Sequence, residues 1–372
     1  AGVPVSIDKV SVSPDFHKGA GVPIGTAFEV SGAVVPRLVG NDVACGMRFC
    51  TFSYTDSGLP VTGLSATDKA RLVVELRKTF FMGNAEAMLS PDQRHRVLFE
   101  GAAALLDENE GPLANREGAW AHLPSGGEFT SNRSTLGAPS SLSASLTDWV
   151  QGSAKKNKVF TADSSSGTVS GGNHFVELQQ VTEVLHPAWA HGVSVHKKHL
   201  CVMAHNGSLW FGHRAHMLGE DLGKKQWPTG HKSPPVSAFP LLLGSTEATS
   251  YMDYVRAAAN FAEYNRVVLT LMTAKALSGV LGQHISVNFV WDAAHNLQWE
   301  QGTVIHRKGA TPAYGMSTAH PYGEPVVIPG AMGAASWICL GQGNTEFLCS
   351  ACHGAGRARC RGQAKASGSE LE

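Results

Sequence analysis

Five side chains suited to hold a borderline divalent cation lie far apart in the sequence, each next to Gly or Asn. Asp42 and Cys45 stand three residues apart between Gly40 and Gly46, and on a tight turn a carboxylate and a thiolate so spaced can face one cation. His174 follows Asn173 in GGNHFVEL, His205 precedes Asn206 in CVMAHNGS, and His295 precedes Asn296 in WDAAHN. Taken singly, the Asp–Cys pair is more often incidental, and a lone histidine beside a strand is usually structural. All of them stand at the ends of strand-like runs, as a converging site requires. Together they make a mixed O/S/N donor set for Mn or Zn.

A second group suits anions. The segment 304–310 (VIHRKGA) and the segment 353–357 (HGAGR) pair cationic side chains with small residues. Glycine lets backbone N–H groups approach phosphate oxygens, and Arg offers a bidentate fork. Either segment alone reads more simply as a solvated basic turn, but Arg357, Arg359 and Arg361 crowd one short stretch and support an anion patch. Cys349-Ser350-Ala351-Cys352-His353 has the spacing of covalent haem attachment, or of half a zinc ribbon. The chain shows neither an export signal nor a second Cys pair, so both uses are disfavoured. Asp15 and His17 could add a carboxylate and an imidazole to the same site.

The 372 residues, 43% hydrophobic and 16% charged, suffice for a large core and exclude a disordered chain. Lys+Arg and Asp+Glu both number 30, so a polyanionic partner would need a local patch. Seven cysteines, an odd number, argue for reduced thiols or metal ligands. No apolar run reaches the roughly 18 residues that cross a bilayer. The start lacks a signal peptide and an initiator Met, so the chain reads as a fragment or processed form of a cytoplasmic protein.

Short strands are expected between 11 and 48, and at HFVEL, CVMAH and ISVNFVW. Helical spacing marks 66–82 and 250–281, the latter with Tyr251, Tyr254, Val255, Ala258, Phe261 and Ala262 on one face. The Ser/Gly/Asn-rich stretch 107–168 reads as a long surface excursion. Without a βαβ rhythm or a linker, residues 1–372 are expected to form one mixed α+β domain.

With these segments in view, the chain resembles the RtcB family of RNA ligases. The resemblance rests on SPDFHKGAGVPIG (13–25), VVPRLVGNDVACGM (34–47), GTVSGGNHFVEL (167–178), VMAHNGS (202–208) and YNRVV (264–268). It continues through HNLQWE (295–300), VIHRKGATPA (304–313), IPGAMG (328–333) and CHGAGR (352–357), in the family's order. It implies a single domain with a β-sandwich core and surrounding helices. It also implies that Cys45, His174, His205 and His295 ligate two Mn ions with Asp42, Zn being the alternative for the same donors. His353 would attack the GTP α-phosphorus, aided by Lys308 and the essential carboxylate Asp15. Asn173, Phe175, Glu177, Ala331 and the run Gly354, Ala355, Gly356 would line the guanylate pocket. Asn296, Arg357 and Arg361 would hold RNA phosphates.

The implied reaction joins RNA 2′,3′-cyclic phosphate or 3′-phosphate ends, of tRNA halves or damaged RNA, to 5′-OH ends. The implied partners are RNA, GTP and an archease-type activating protein, with no membrane. Three departures stand out. An expected arginine is Leu209, a nucleotide-binding serine is Ala331, and parts of the family's N- and C-terminal segments are expected to be lacking. These departures motivate two other expectations: a metal-binding RNA-binding protein without turnover, or a metal-dependent cyclic phosphodiesterase.

Overall fold

The computed structural model describes residues 5–81, 89–105, 136–151, 166–169, 171–301, 303–331 and 333–356. The first four strands are β1 (Ser6–His17), β2 (Ile24–Ser31), β3 (Ala33–Val34) and β4 (Gly46–Tyr54). Then come α1 (Ala66–Phe81), α2 (Pro91–Glu100), α3 (Ala144–Val150), β5 (Phe175–Gln180), α4 (Pro187–Gly192) and β6 (Leu200–Asn206). The long helices follow: α5 (Trp210–Gln226), then β7 (Leu241–Leu242), then α6 (Thr246–Leu281). The remaining strands are β8 (Ile285–Ala294), β9 (Asn296–Gln301), β10 (Thr303–Lys308), β11 (Ala310–Pro312), β12 (Pro325–Ile328), β13 (Trp337–Leu340) and β14 (Ser350–Cys352).

Two four-stranded antiparallel sheets dominate, in the orders β1-β2-β10-β9 and β5-β6-β4-β8. In the second sheet, side chains alternate between two apolar layers, as a pleated strand requires. Val202 and Phe52 face one layer, and Cys201, Met203 and Phe49 face the other. The first layer is filled by α6. Leu297 and Val304 of the other sheet join the same cluster, so the β-sandwich core carries a helix through it. The β12–β13 hairpin supplies Val327 and Ile338 to the second layer. The α+β expectation is met.

Helix α6 begins at an N-cap, where Ser245 Oγ accepts from the Ala248 N–H, and ends at Gly282 in the left-handed conformation. The expected apolar face is buried, and so are Asn260 and Thr270 on other sides of the helix, each satisfied by a hydrogen bond. The expected helix at 66–82 is α1. The excursion expected at 107–168 falls largely outside the described residues, but α3 within it buries Leu146, Trp149 and Val150. No described helix is long and apolar enough to cross a membrane.

Beside α6 lies a fully buried ionic cluster. Asp292 on β8 takes a fork from Arg266 (2.8 and 3.1 Å) and a contact from Arg48 (3.2 Å). Removing one member of such a cluster strands charge in a dry interior. Asp292→Ala is therefore expected to lower the free energy of unfolding by about 3–5 kcal/mol, read from urea denaturation midpoints at constant slope.

Candidate metal centre and active-site cleft

Antiparallel pairing brings four strand ends to one edge of the second sheet. Gly46 at the start of β4 pairs with Asn206 and Ala294 at the ends of β6 and β8, and Phe175 at the start of β5 pairs with His205. Cys45, His174, His205 and His295 each occupy or adjoin one of these ends. All five predicted ligands converge, in two groups that share the thiol: Asp42–Cys45–His174 and Cys45–His205–His295.

The spacings are those of donors sharing an ion. Cys45 Sγ lies 3.2 Å from His174 Nε2 and 3.1 Å from His205 Nε2. His205 Nε2 lies 3.2 Å from His295 Nε2, and His174 Nε2 is 3.1 Å from Asp42 Oδ2. Nitrogen donors about 2.1 Å from one tetrahedral ion stand roughly 3.4 Å apart, so the set fits a divalent cation. His205 Nδ1 is 3.0 Å from the Asn173 carbonyl, which only accepts. The ring proton therefore sits on Nδ1 and Nε2 presents its lone pair. Burial holds His205 near a pKa of about 3 and pulls His295 well below the usual range. Burial, with Asp42 alongside, pushes the Cys45 thiol far up, and a bound cation would displace its proton.

Close backbone approach makes this geometry feasible. A Cβ on Gly207 would stand 2.4 Å from Asp42 Oδ1, so only glycine there leaves the carboxylate beside Cys45. Ala44, just before the thiol, holds a left-handed backbone at φ +58°.

The centre opens onto a cleft of about 430 Å³ that also presents Asn173, Phe175, Lys308, Ala331 and the run His353–Gly356. The His353 ring lies 4.7 Å from that of the ligand His295, centroid to centroid. Its Nδ1 is 2.7 Å from Asp15 Oδ2, and its backbone N–H donates to the same oxygen at 3.2 Å. Burial opposes ionisation of Asp15, but the contacts of His353 and Ser13 outweigh it and keep the carboxyl below its usual range. His17 lines the same cleft, its ring stacked with His353 at 6.3 Å. The Asp15 and His17 segment thus joins the site.

Several predicted residues sit differently. The segment 304–308 is not a solvated turn but strand β10, buried on both faces. Arg307 turns away from the cleft, donating to Ser350 Oγ and the Leu348 carbonyl under the Trp299 ring. It is structural and offers phosphate nothing. Lys308, on the opposite face, does reach the cleft, with Nζ donating to the Ala20 carbonyl at 2.8 Å. Asn296 lines the cleft as expected, and its amide also accepts from Gly309 N–H (2.7 Å) and donates to the Asp42 carbonyl (3.0 Å). Glu177 lies outside the cleft lining and accepts from Gln179 Nε2. Arg357, Arg359 and Arg361 lie outside the described residues. Among the described cysteines only Cys45 belongs to a ligand group.

Two outcomes follow from this geometry. Since Cys45 serves both groups, Cys45→Ala is expected to abolish metal binding. Gly207→Ala, which displaces Asp42, should lower the bound metal without abolishing it, as measured by elemental analysis after equilibrium dialysis. The second concerns Lys308, which burial lowers from 10.5 to about 8. Folding disfavours its charged form, so the cost is full below pH 8 and fades as pH rises towards 10.5. Lys308→Met is expected to be about 1–2 kcal/mol more stable than the parent at pH 7, after losing one hydrogen bond. That gap should narrow between pH 8 and 10 in parallel denaturant titrations.

The family model described as "tRNA-splicing ligase RtcB" matches residues 1–371. The tRNA-splicing ligase RtcB of Pyrobaculum aerophilum is 30% identical over 94% of this chain and 73% of its own length. That of Nanoarchaeum equitans is 29% identical over 98% and 76%, and the RNA-splicing ligase RtcB of Mycobacterium tuberculosis 28% over 94% and 80%. With the shared-thiol ligand set and the adjoining histidine in one cleft, these matches establish that the chain belongs to the RtcB family.

Proposed function

We propose that the protein is a GTP- and Mn-dependent RNA ligase that joins 2′,3′-cyclic phosphate or 3′-phosphate ends to 5′-OH ends through a guanylyl-histidine at His353. The observation that carries this reading is an imidazole backed by a carboxylate and set against a metal-ligating histidine: His353 Nδ1 is 2.7 Å from Asp15, and the ring is 4.7 Å from His295. His353 belongs to neither of the two ligand groups, so its imidazole is left for chemistry beside the metal centre.

Asp15 engages Nδ1, which fixes the ring and leaves Nε2 as the nucleophilic nitrogen. Nε2 forms a bond to the GTP α-phosphorus as the bond to pyrophosphate breaks. Where the end is cyclic, water first adds to its phosphorus as the P–O2′ bond breaks, leaving a 3′-phosphate and a 2′-OH. A 3′-phosphate oxygen of RNA then takes the guanylate and frees His353, and attack of the 5′-OH on the activated phosphorus expels GMP. Bound divalent ions would supply charge neutralisation at the phosphates. Lys308 adds a second cation at the cleft wall, and the glycines flanking Ala355 leave backbone N–H groups open to phosphate. Phe175 offers an aromatic face for the base. RNA and an archease-type activator are the partners in this reading.

Leu209 favours the second reading, a metal-binding protein that contacts RNA or opens cyclic phosphates without nucleotide transfer. Incubation with α-labelled GTP and Mn, followed by denaturing electrophoresis, separates the two. The expected result is acid-labile, alkali-stable label on the parent and none on His353→Ala. Absence of label on a folded parent that binds two Mn ions would reject the ligase and leave the second reading.

A further inference from the structure

We propose that Arg266 is a positioning residue for the metal centre, tying together the three backbone segments that carry Cys45, His205 and His295. Arg266 lies on α6 with its side chain fully buried and touches none of the candidate ligand atoms. Its Nη1 donates to the carbonyl of Ala44 at 3.0 Å and to that of Asn206 at 2.9 Å, the residues next to Cys45 and His205. Its Nε and Nη2 fork onto Asp292, three residues before His295 on β8. One rigid planar group thus fixes three ligand-bearing segments, which a flexible ammonium cannot reproduce.

Ala44 gives a second reason. A Cβ-bearing residue at φ +58° is unfavourable in isolation and persists only where its surroundings over-determine it. Here the Ala44 N–H donates to the Asn296 carbonyl at 2.7 Å, and the Ala44 carbonyl accepts from Arg266. Loss of the guanidinium releases one of these two restraints beside the shared thiol.

Arg48 supplies the control. It is equally buried and contacts the same Asp292 at 3.2 Å, but its Nε and Nη2 have no hydrogen-bond partner among the described residues and it lies over the Phe289 ring. Of the groups that Arg266 engages it reaches only Asp292, and it donates to neither carbonyl beside Cys45 or His205.

The inference rests on reading the Cys/His cluster as a metal centre, and not on ligation. Co(II) titration of the whole chain reports it through thiolate-to-cobalt charge-transfer absorption and the ligand-field bands. The parent is expected to show both, and Arg48→Met to bind within twofold of the parent with the same spectrum. Arg266→Met is expected to bind at least tenfold more weakly with a diminished thiolate band. Arg266→Lys, which keeps the buried charge and hence the fold, should fall between them, and it decides the matter if the Met variant does not fold. Parent-like affinity and spectrum in Arg266→Lys would overturn the proposal, as would an equal loss in Arg48→Met, which would mark a general stability effect. A parent without a thiolate band would instead defeat the metal reading itself.

Discussion

A sulfur and three imidazole nitrogens held about 3 Å apart and out of water form an arrangement that no isolated loop sustains. Burial strips hydration from most of the donors, driving the thiol towards protonation and the imidazoles of His205 and His295 towards neutrality. The cluster persists because the antiparallel sheet brings two strand starts and two strand ends to one edge. Pairing hydrogen bonds then set the ligand spacing, and no ligand side chain sets it alone. The His295 N–H donating to the Cys45 carbonyl at 2.8 Å stitches β8 to the loop before β4. The dry ionic cluster of Arg48, Arg266 and Asp292 lies behind that edge, so Arg266 and Asp292 join fold stability to ligand placement.

Much of this site could be read in the sequence because its donors are of types rarely found together at strand ends. Asp42, Cys45, His174, His205 and His295 were each weak signals, and their common placement beside Gly or Asn made them one. What the sequence concealed follows from burial. In the run His306-Arg307-Lys308, alternation along a strand sends Arg307 into the core and Lys308 to the cleft, a distinction that composition does not carry. Helix α5 left little periodic trace because Gly212, Gly219 and Gly223 interrupt its apolar pattern. A Cβ at these positions would run into Val43, Pro36 and Phe239 respectively, so packing and not propensity requires them. The role of Arg266 was equally hidden, since an arginine between Asn265 and Val267 on a helix gives no local sign of three distant partners.

Leu209, where the family motif carries arginine, adopts φ +51°, ψ −117° at the N-terminus of α5 and caps that helix with no side-chain hydrogen bond. It contributes no donor to either candidate metal group. Ala331 is similar: it lines the cleft, yet a methyl cannot donate to phosphate. Neither substitution touches the metal donors, and in the proposed reaction Lys308 and the backbone amides after His353 are the described groups that would meet phosphate.

The abundance of histidine, 17 in all, then has a physical order, set by what the second ring nitrogen touches. In His205, Nδ1 faces a backbone carbonyl, the other nitrogen keeps its lone pair, and the ring becomes a ligand. In His306, Nε2 accepts from the Val35 N–H inside the core, and the ring, its pKa held down to about 3, is a structural joint between strands. In His353, Nδ1 faces the Asp15 carboxylate, which stabilises positive charge on the ring once Nε2 has formed a bond. A phosphorylated imidazole carries such a charge. In the proposed reaction the Asp15 carboxylate would thus do for His353 what a backbone carbonyl does for His205, holding the ring and choosing which nitrogen faces the cleft.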